Sequence, residues 1–340
     1  MSSNLKLTAV TSNAFADWIR AKDYCASAAT VVGYGNMGRQ YVRALRSLGV
    51  CRIRVCTKLN EPDELRSMNG VRTVTGGYQR LTEEALPGEL AIIATPEKNL
   101  LGASSHMASL GYRRMLIEKP VSLYAREIEE LATEMDARNV DTAVAYNRVA
   151  YPSFHEISSR AQNDGGITSC TYTFTEFVHR IDPEHYSTEI MKRWGVANSL
   201  HVMSMAHGLV GMPRSWNCHH SGAIPWHPAG AVFVGSGITD FEIPFAYHAD
   251  WGSLGRWSVE VHTRNASYRL CPLEKAFRKA SVSGEWEELT LDIVNQEIKT
   301  GFVEQVATLL SEPPDRIIHL PDLKDALRLT KFAEEIFGYP

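Results

Sequence analysis

Gly33, Gly35 and Gly38 stand in the spacing G-x-G-x-x-G, within Gly33-Tyr34-Gly35-Asn36-Met37-Gly38. The first glycine can take a tight turn, the second lets a pyrophosphate approach the backbone, and the third lets a helix pack close to a strand. The unpaired amides at the helix start, Asn36 and Met37, then face the phosphates. About 20 residues further on, where an acid that binds the ribose of NAD is expected, the sequence reads Thr57-Lys58, with no carboxylate before Glu61. A hydroxyl and an ammonium suit a 2′-phosphate, which an acid would repel. NADP is therefore favoured, with NAD left possible if Lys58 is a solvated lysine and Glu61 or Asp63 holds the ribose. A third group, Glu118-Lys119-Pro120, ends a later strand. A lysine there points into the crevice of a parallel sheet, where its ammonium can bind a substrate hydroxyl and stabilise the oxygen as charge develops.

These groups need strands and helices in a fixed order. An amphipathic helix is expected around Phe15, Trp18 and Ile19, then a buried strand over 26–32 that leads into the glycine turn. Helix 37–48, strand 52–56, a helix near Glu83, strand 90–94, helix 100–110, strand 114–118, helix 123–139 and strand 142–145 continue the alternation. Such an order predicts a Rossmann-type, doubly wound parallel sheet. After a helix over 151–162 the rhythm changes to strands at 168–178, 231–234, 240–246, 257–263, 267–270 and 286–291. They predict a mostly antiparallel open sheet, closed by helices over 295–310 and 321–336. The expected fold class is thus α/β followed by α+β. Residues 1–146 form the dinucleotide-binding domain, 147–320 the substrate and oligomerisation domain, and 321–340 a helix returning onto the first.

Composition agrees with this. The 340 residues are about twice a ~150-residue domain, and 44% hydrophobic with 22% charged residues leaves no room for a long disordered region. Thirty-five basic against 39 acidic residues, without a block of like charge, argue against a nucleic-acid partner. Six cysteines without a CxxC pair suit dispersed core positions and a reducing cytoplasm. The opening MSSNLKLTAV carries one lysine before a short apolar stretch, and no apolar run nears the ~18 residues of a membrane span. No membrane partner is expected.

Ala94-Thr95-Pro96 ends the fourth strand, His106 falls in the next helix, and Glu118-Lys119-Pro120 ends the strand after it. With the glycine loop, these motifs resemble the glucose-fructose oxidoreductase, inositol dehydrogenase and MocA family over roughly residues 28–210. The resemblance implies NAD(P)-dependent hydride transfer to or from a secondary alcohol or ketone of a sugar, cyclitol or sugar-derived compound. It also implies that Thr95, Pro96, Glu118 and Lys119 border the cofactor and that Lys119 is catalytic. Members usually carry D-x-G-x-H-x-x-D in the second domain, whereas this chain reads Ala197-Asn198-Ser199-Leu200-His201-Val202-Met203-Ser204. His201 matches and is expected to handle the proton, since a neutral imidazole can take it from a hydroxyl. Both acids are missing, so Asn198 is expected to orient a substrate hydroxyl without acting as a base.

Arg193 and Trp194, beside Lys192, could meet a substrate carboxylate or phosphate and stack on a sugar ring, or could be an ordinary charged helix end. The resemblance further implies that the domain crossover, Tyr146-Asn147-Arg148, faces the nicotinamide side, with Asn147 the residue expected there. The histidine spacings, six between His201 and His207 and adjacency of His219 and His220, do not suit a metal, and none is expected. The missing acids keep a second reading open, a non-redox dinucleotide-binding sensor or partner subunit; a hydrolase or lyase assisted by bound NAD is a third. An open sheet must cover its free face, which predicts a homodimer or homotetramer.

Overall fold

The computed structural model describes residues 9–340; the segment read above for export signals lies, over 1–8, outside them. Small and β-branched residues build the first sheet. In β1 (Ala28–Val32) every position is buried, as a strand covered on both faces requires. Before it comes α1 (Ser12–Arg20), whose first turn is capped by the Thr11 side chain, and after it α2 (Asn36–Ser47). Then β2 (Arg52–Thr57), α3 (Asp63–Arg66), β3 (Val71–Thr75), β4 (Leu90–Ile93) and α4 (Leu100–Ser109) follow. This half ends with β5 (Arg114–Ile117), α5 (Ala125–Ala137) and β6 (Asp141–Val144). All neighbours are parallel, in the order β3-β2-β1-β4-β5-β6. The sheet is doubly wound, and its carboxyl ends open together on one side. The helix expected near Glu83 is absent: Glu83 instead pairs with Arg72 at 2.8 Å and Arg54 at 3.2 Å, holding an irregular stretch against the unforeseen edge strand β3.

The second half carries α6 (Pro152–Asn163), β7 (Ser169–Phe174), α7 (Thr188–Lys192) and α8 (Leu200–Val210). Its sheet continues with β8 (Pro213–Ser221), β9 (Val232–Thr239), β10 (Pro244–Asp250) and β11 (Trp257–His262). The last strands are β12 (Ser267–Leu270), β13 (Phe277–Lys279) and β14 (Glu287–Glu288), before α9 (Phe302–Leu310) and α10 (Leu323–Phe337). Eight strands run β14-β13-β12-β11-β7-β10-β9-β8, antiparallel except for the β7–β10 pair. Inward residues such as Tyr172, Phe233, Phe245 and Val259 are buried, while Thr171, His248 and Glu260 alternate outward.

Three expectations shift here. The strand placed at 240–246 starts only at Pro244, because the preceding residues turn, with Glu242 at φ 60°. Strand 286–291 shrinks to Glu287–Glu288. Helix 295–310 keeps only its second half: the Asn295 side chain caps a turn by accepting from the amides of Glu297 and Ile298, and Gly301 at φ 87° interrupts the path before Phe302. A Cβ on Gly301 would stand 2.3 Å from the Asn147 carbonyl oxygen, so glycine is required.

The last helix joins the halves. It starts with a capping box between Asp322 and Asp325 and lies along α5 through Lys331–Glu129 and Lys324–Asp136 ion pairs. Its other face enters the second core, with the Phe332 ring 5.0 Å from Trp216 and Phe337 4.7 Å from Phe233. No described helix is long and apolar enough to cross a membrane. All six cysteines are free; Cys56 and Cys170 are core residues, but Cys25 and Cys51 are exposed and meet with their Sγ atoms 3.0 Å apart.

Candidate active site

A cleft of about 1130 Å³ opens between the halves, where the carboxyl ends of β1, β2, β4, β5 and β6 face the start of α8. Gly33, Gly35, Asn36, Met37, Thr57, Lys58, Thr95, Pro96, Glu118, Lys119, Asn147, Asn198 and His201 all line it. Gly33 and His201, 168 positions apart in the chain, thus line one cleft.

The glycine turn has the geometry of a phosphate cradle. Gly33 sits at φ 101°, and a Cβ there would be 2.4 Å from the Ala94 carbonyl oxygen. A Cβ on Gly38 would be 2.0 Å from the Gly33 carbonyl oxygen, so strand and helix touch at that point. Gly38 works from behind the cleft wall. At Gly35 a Cβ would meet nothing within 4 Å, which leaves space in front of the amides of α2 for a diphosphate. The Thr95 hydroxyl is buried there without a partner, an unmet polar group suited to a bound dinucleotide. At the end of β2, Thr57 is buried and Lys58 exposed. The two nearby acids, Glu61 and Asp63, both bond Arg66, at 3.4 and 3.1 Å.

The chemical end of the cleft is built from both halves. Glu118 accepts a hydrogen bond from the Tyr41 hydroxyl at 2.7 Å, and burial raises its pKa. Beside it the Lys119 Nζ donates to the Ala197 carbonyl oxygen at 2.8 Å. Ala197 offers no carboxylate, and its backbone oxygen is the group that meets the ammonium. It belongs to a π-helical turn, Gly195–Ser199, that leads into α8. A wider turn of this kind re-aims side chains and is frequent at functional sites. Burial lowers the Lys119 pKa to about 8, with Glu118 opposing and Arg148 and Lys299 assisting. His201 is pushed well below the usual imidazole range by burial and by the same neighbouring cations, and its Nδ1 has no partner.

A carboxyl does stand behind this segment. Glu176, just past the end of β7, accepts from Asn198 Nδ2 at 2.9 Å and from the Ser199 hydroxyl at 2.6 Å, and burial raises its pKa. No sequence motif pointed to it. Arg148 and Lys299 also line the cleft and were passed over, the first in favour of its neighbour and the second because it was placed inside a helix. Asn147 reaches the cleft wall, but its amide donates to the Thr300 carbonyl at 3.0 Å and serves to hold the 299–301 turn.

Arg193 requires a correction. Its guanidinium is buried, bonds Glu334 at 2.5 Å and the Leu123 carbonyl at 2.9 Å, and stacks on Tyr124 and Tyr339. It fastens α10 to the first half and has no free edge for a substrate. Trp194 lines a smaller side cavity that shares Lys119 and Asn198 with the main cleft, its ring edge-on to Tyr186 at 5.0 Å. His106 points away, its Nε2 2.9 Å from the Leu81 carbonyl oxygen.

No protein-family model and no curated protein sequence matches the chain. Solved structures match it in fold. A levoglucosan dehydrogenase in complex with NADH superposes with a TM-score of 0.71 at 16% identity, over 92% of this chain and 96% of that one. An oxidoreductase from Agrobacterium radiobacter in complex with NAD+, L-tartaric acid and magnesium gives 0.72 at 10% identity, over 92% and 95%. A UDP-N-acetylglucosamine 3-dehydrogenase from Acidithiobacillus ferrooxidans gives 0.66 at 12% identity, over 92% and 97%. The shared feature is the two-part architecture.

Proposed function

We propose that this chain is an NAD(P)-dependent dehydrogenase or reductase of CH–OH groups, with NADP favoured, acting on a sugar, cyclitol or sugar-derived compound. The observation that carries this reading is the convergence of Lys119 and His201 in the same cleft as an open glycine turn. The neighbours in fold, two of them sugar or nucleotide-sugar dehydrogenases, support it.

A bound nicotinamide would supply the hydride acceptor or donor. The protein's own residues then handle the proton. In the reducing direction the Lys119 ammonium donates a hydrogen bond, and finally its proton, to the carbonyl oxygen as that oxygen gains charge. In the oxidising direction the neutral amine takes the hydroxyl proton back. His201 is neutral at pH 7; burial and three nearby cations disfavour its conjugate acid, so it orients the hydroxyl while Lys119 stores the proton. Glu176 holds Asn198 and Ser199 in place from behind. Mixing the protein and NADPH with a broad panel of keto-sugars and following the loss of reduced nicotinamide tests the reading; a silent panel with intact NADPH binding favours the non-redox alternative.

The cofactor choice rests on Lys58. Lys58→Asp is expected to weaken NADPH binding by roughly tenfold or more and to improve NADH relative to it, because an anion replaces a cation beside the 2′-phosphate. Equal Kd values for NADPH in both proteins would assign Lys58 to the solvated surface. Pairing of two copies across the open sheet, as a homodimer or homotetramer, is part of the same proposal.

A further inference from the structure

Lys119, Arg148 and Lys299 all line the cleft, and the hydrogen bonds of their charged groups go to neutral atoms. Lys119 donates to the Ala197 carbonyl, Arg148 Nη1 to Asn147 Oδ1 at 3.3 Å, and the Lys299 ammonium lies 4.0 Å from Met37 Sδ. The carboxyls that face them offer little compensation. Glu118 and Glu176 are buried, engaged by Tyr41 and by Asn198 and Ser199, and shifted toward their neutral forms, while Glu274 is exposed to solvent. Lys119 and Arg148 are largely withdrawn from water, where cations without anionic partners are costly, whereas Lys299 is exposed; a cleft that gathers them suits an anion.

The diphosphate of a dinucleotide accounts for one of them. Lys299 stands beside Met37, within the phosphate turn. Arg148 does not share that position: it follows β6, at the far edge of the sheet order from β1, and its guanidinium lies over the Trp257 indole of β11, 4.9 Å from the ring centroid. The His201 ring is 6.2 Å from the same indole. Arg148 and His201 are therefore neighbours on the substrate side of Lys119. With Nη1 on Asn147 and Nε buried without a partner, the Nε–Nη2 edge of Arg148 is left for an acceptor with two oxygens.

We infer that the substrate carries a carboxylate, received by Arg148, next to the alcohol or ketone carbon that faces Lys119 and His201. The inference rests on the dehydrogenase reading and narrows its substrate class to polyhydroxy acids. The anionic group that Arg193 was one candidate to meet is thereby placed at a different arginine.

Two measurements test it with the full chain saturated with NADPH. Malonate, an unreactive dicarboxylate, is titrated against the wild type, Arg148→Gln and Arg148→Lys, and turnover is compared between matched acid and neutral compounds such as gluconate and glucitol in the presence of NADP. We expect malonate to bind the wild type and to bind Arg148→Gln roughly 30-fold more weakly, with Arg148→Lys between them and the NADPH Kd within about twofold in all three. The acid should exceed its neutral partner in kcat/KM by about the same factor. Malonate that fails to bind the wild type below about 50 mM, or that binds Arg148→Gln equally well, overturns the inference, as does a preference for the neutral compound. Malonate bound through Arg148 with no turnover of either compound class leaves the anion site standing and removes the dehydrogenase reading instead.

Discussion

Lys119→Met is expected to lower kcat by about 10³-fold or more, since it removes both the proton donor and the cation that stabilises a developing alkoxide. NADPH binding should be little changed, because the phosphate turn follows β1, two strands from β5 in the order β1-β4-β5, and does not touch this ammonium. The pH profile gives a sharper readout. Burial lowers Lys119 from its usual 10.5 to about 8. Below that pH the group is an ammonium, and above it an amine. For ketone reduction, kcat/KM should therefore fall as pH rises through about 8, and for alcohol oxidation it should rise over the same range. Lys119→Arg keeps a cation that does not titrate, so any residual activity should lose the limb near pH 8. His201 stays neutral across this window and adds no limb of its own. Wild-type turnover in Lys119→Met, or a wild-type profile that is flat from pH 7 to 9, would assign the proton to another group.

Gly35→Val separates binding from folding. The backbone at Gly35 has φ −82° and ψ −161°, which any residue adopts, and a Cβ there meets nothing within 4 Å. The variant should melt within a few degrees of the wild type, as surface changes do. Its methyl groups would occupy the space in front of the α2 amides, so the NADPH Kd, read by nicotinamide fluorescence, should rise about 100-fold or more. The same change at Gly33 or Gly38 should instead prevent folding, because the added atoms would lie 2.4 and 2.0 Å from backbone oxygens. Unaltered NADPH affinity in folded Gly35→Val would mean that the diphosphate does not cross this turn.

The parts of the molecule legible from sequence are those made by neighbours along the chain. β1 announces itself because a strand covered on both faces must be apolar throughout, and the turn after it because only glycine fits at φ 101°. Lys119 is marked by the Glu118-Lys119-Pro120 motif that carries the resemblance, and its position at the end of a buried parallel strand agrees by aiming it at the crevice. Elements whose stability comes from one side alone were harder to read. β3 is a half-exposed edge, and β8 is a border strand whose Arg214, Asn217, His219 and His220 leave only Trp216 and Cys218 as a short apolar alternation.

Arg148, Glu176 and Lys299 were missed for a different reason. Each comes from a separate element; nothing close to Glu176 or Lys299 in the sequence marks it as part of a site, and at the domain crossover the pattern does not tell Arg148 from its neighbour Asn147. Lys299 faces the cleft because the chain turns at Gly301, and Gly301 is needed because the Asn147 backbone, 154 residues earlier, leaves no room for a Cβ. Glu176 acquires its place through Ser199, 23 positions away and on the far side of α7. Spacing along the chain dictated where a diphosphate can rest and which lysine would face it. Which charges surround that lysine was settled by the packing of α8, α9 and the second sheet onto the first, since Coulombic and desolvation effects depend on distance in space and on burial, neither of which a linear pattern contains.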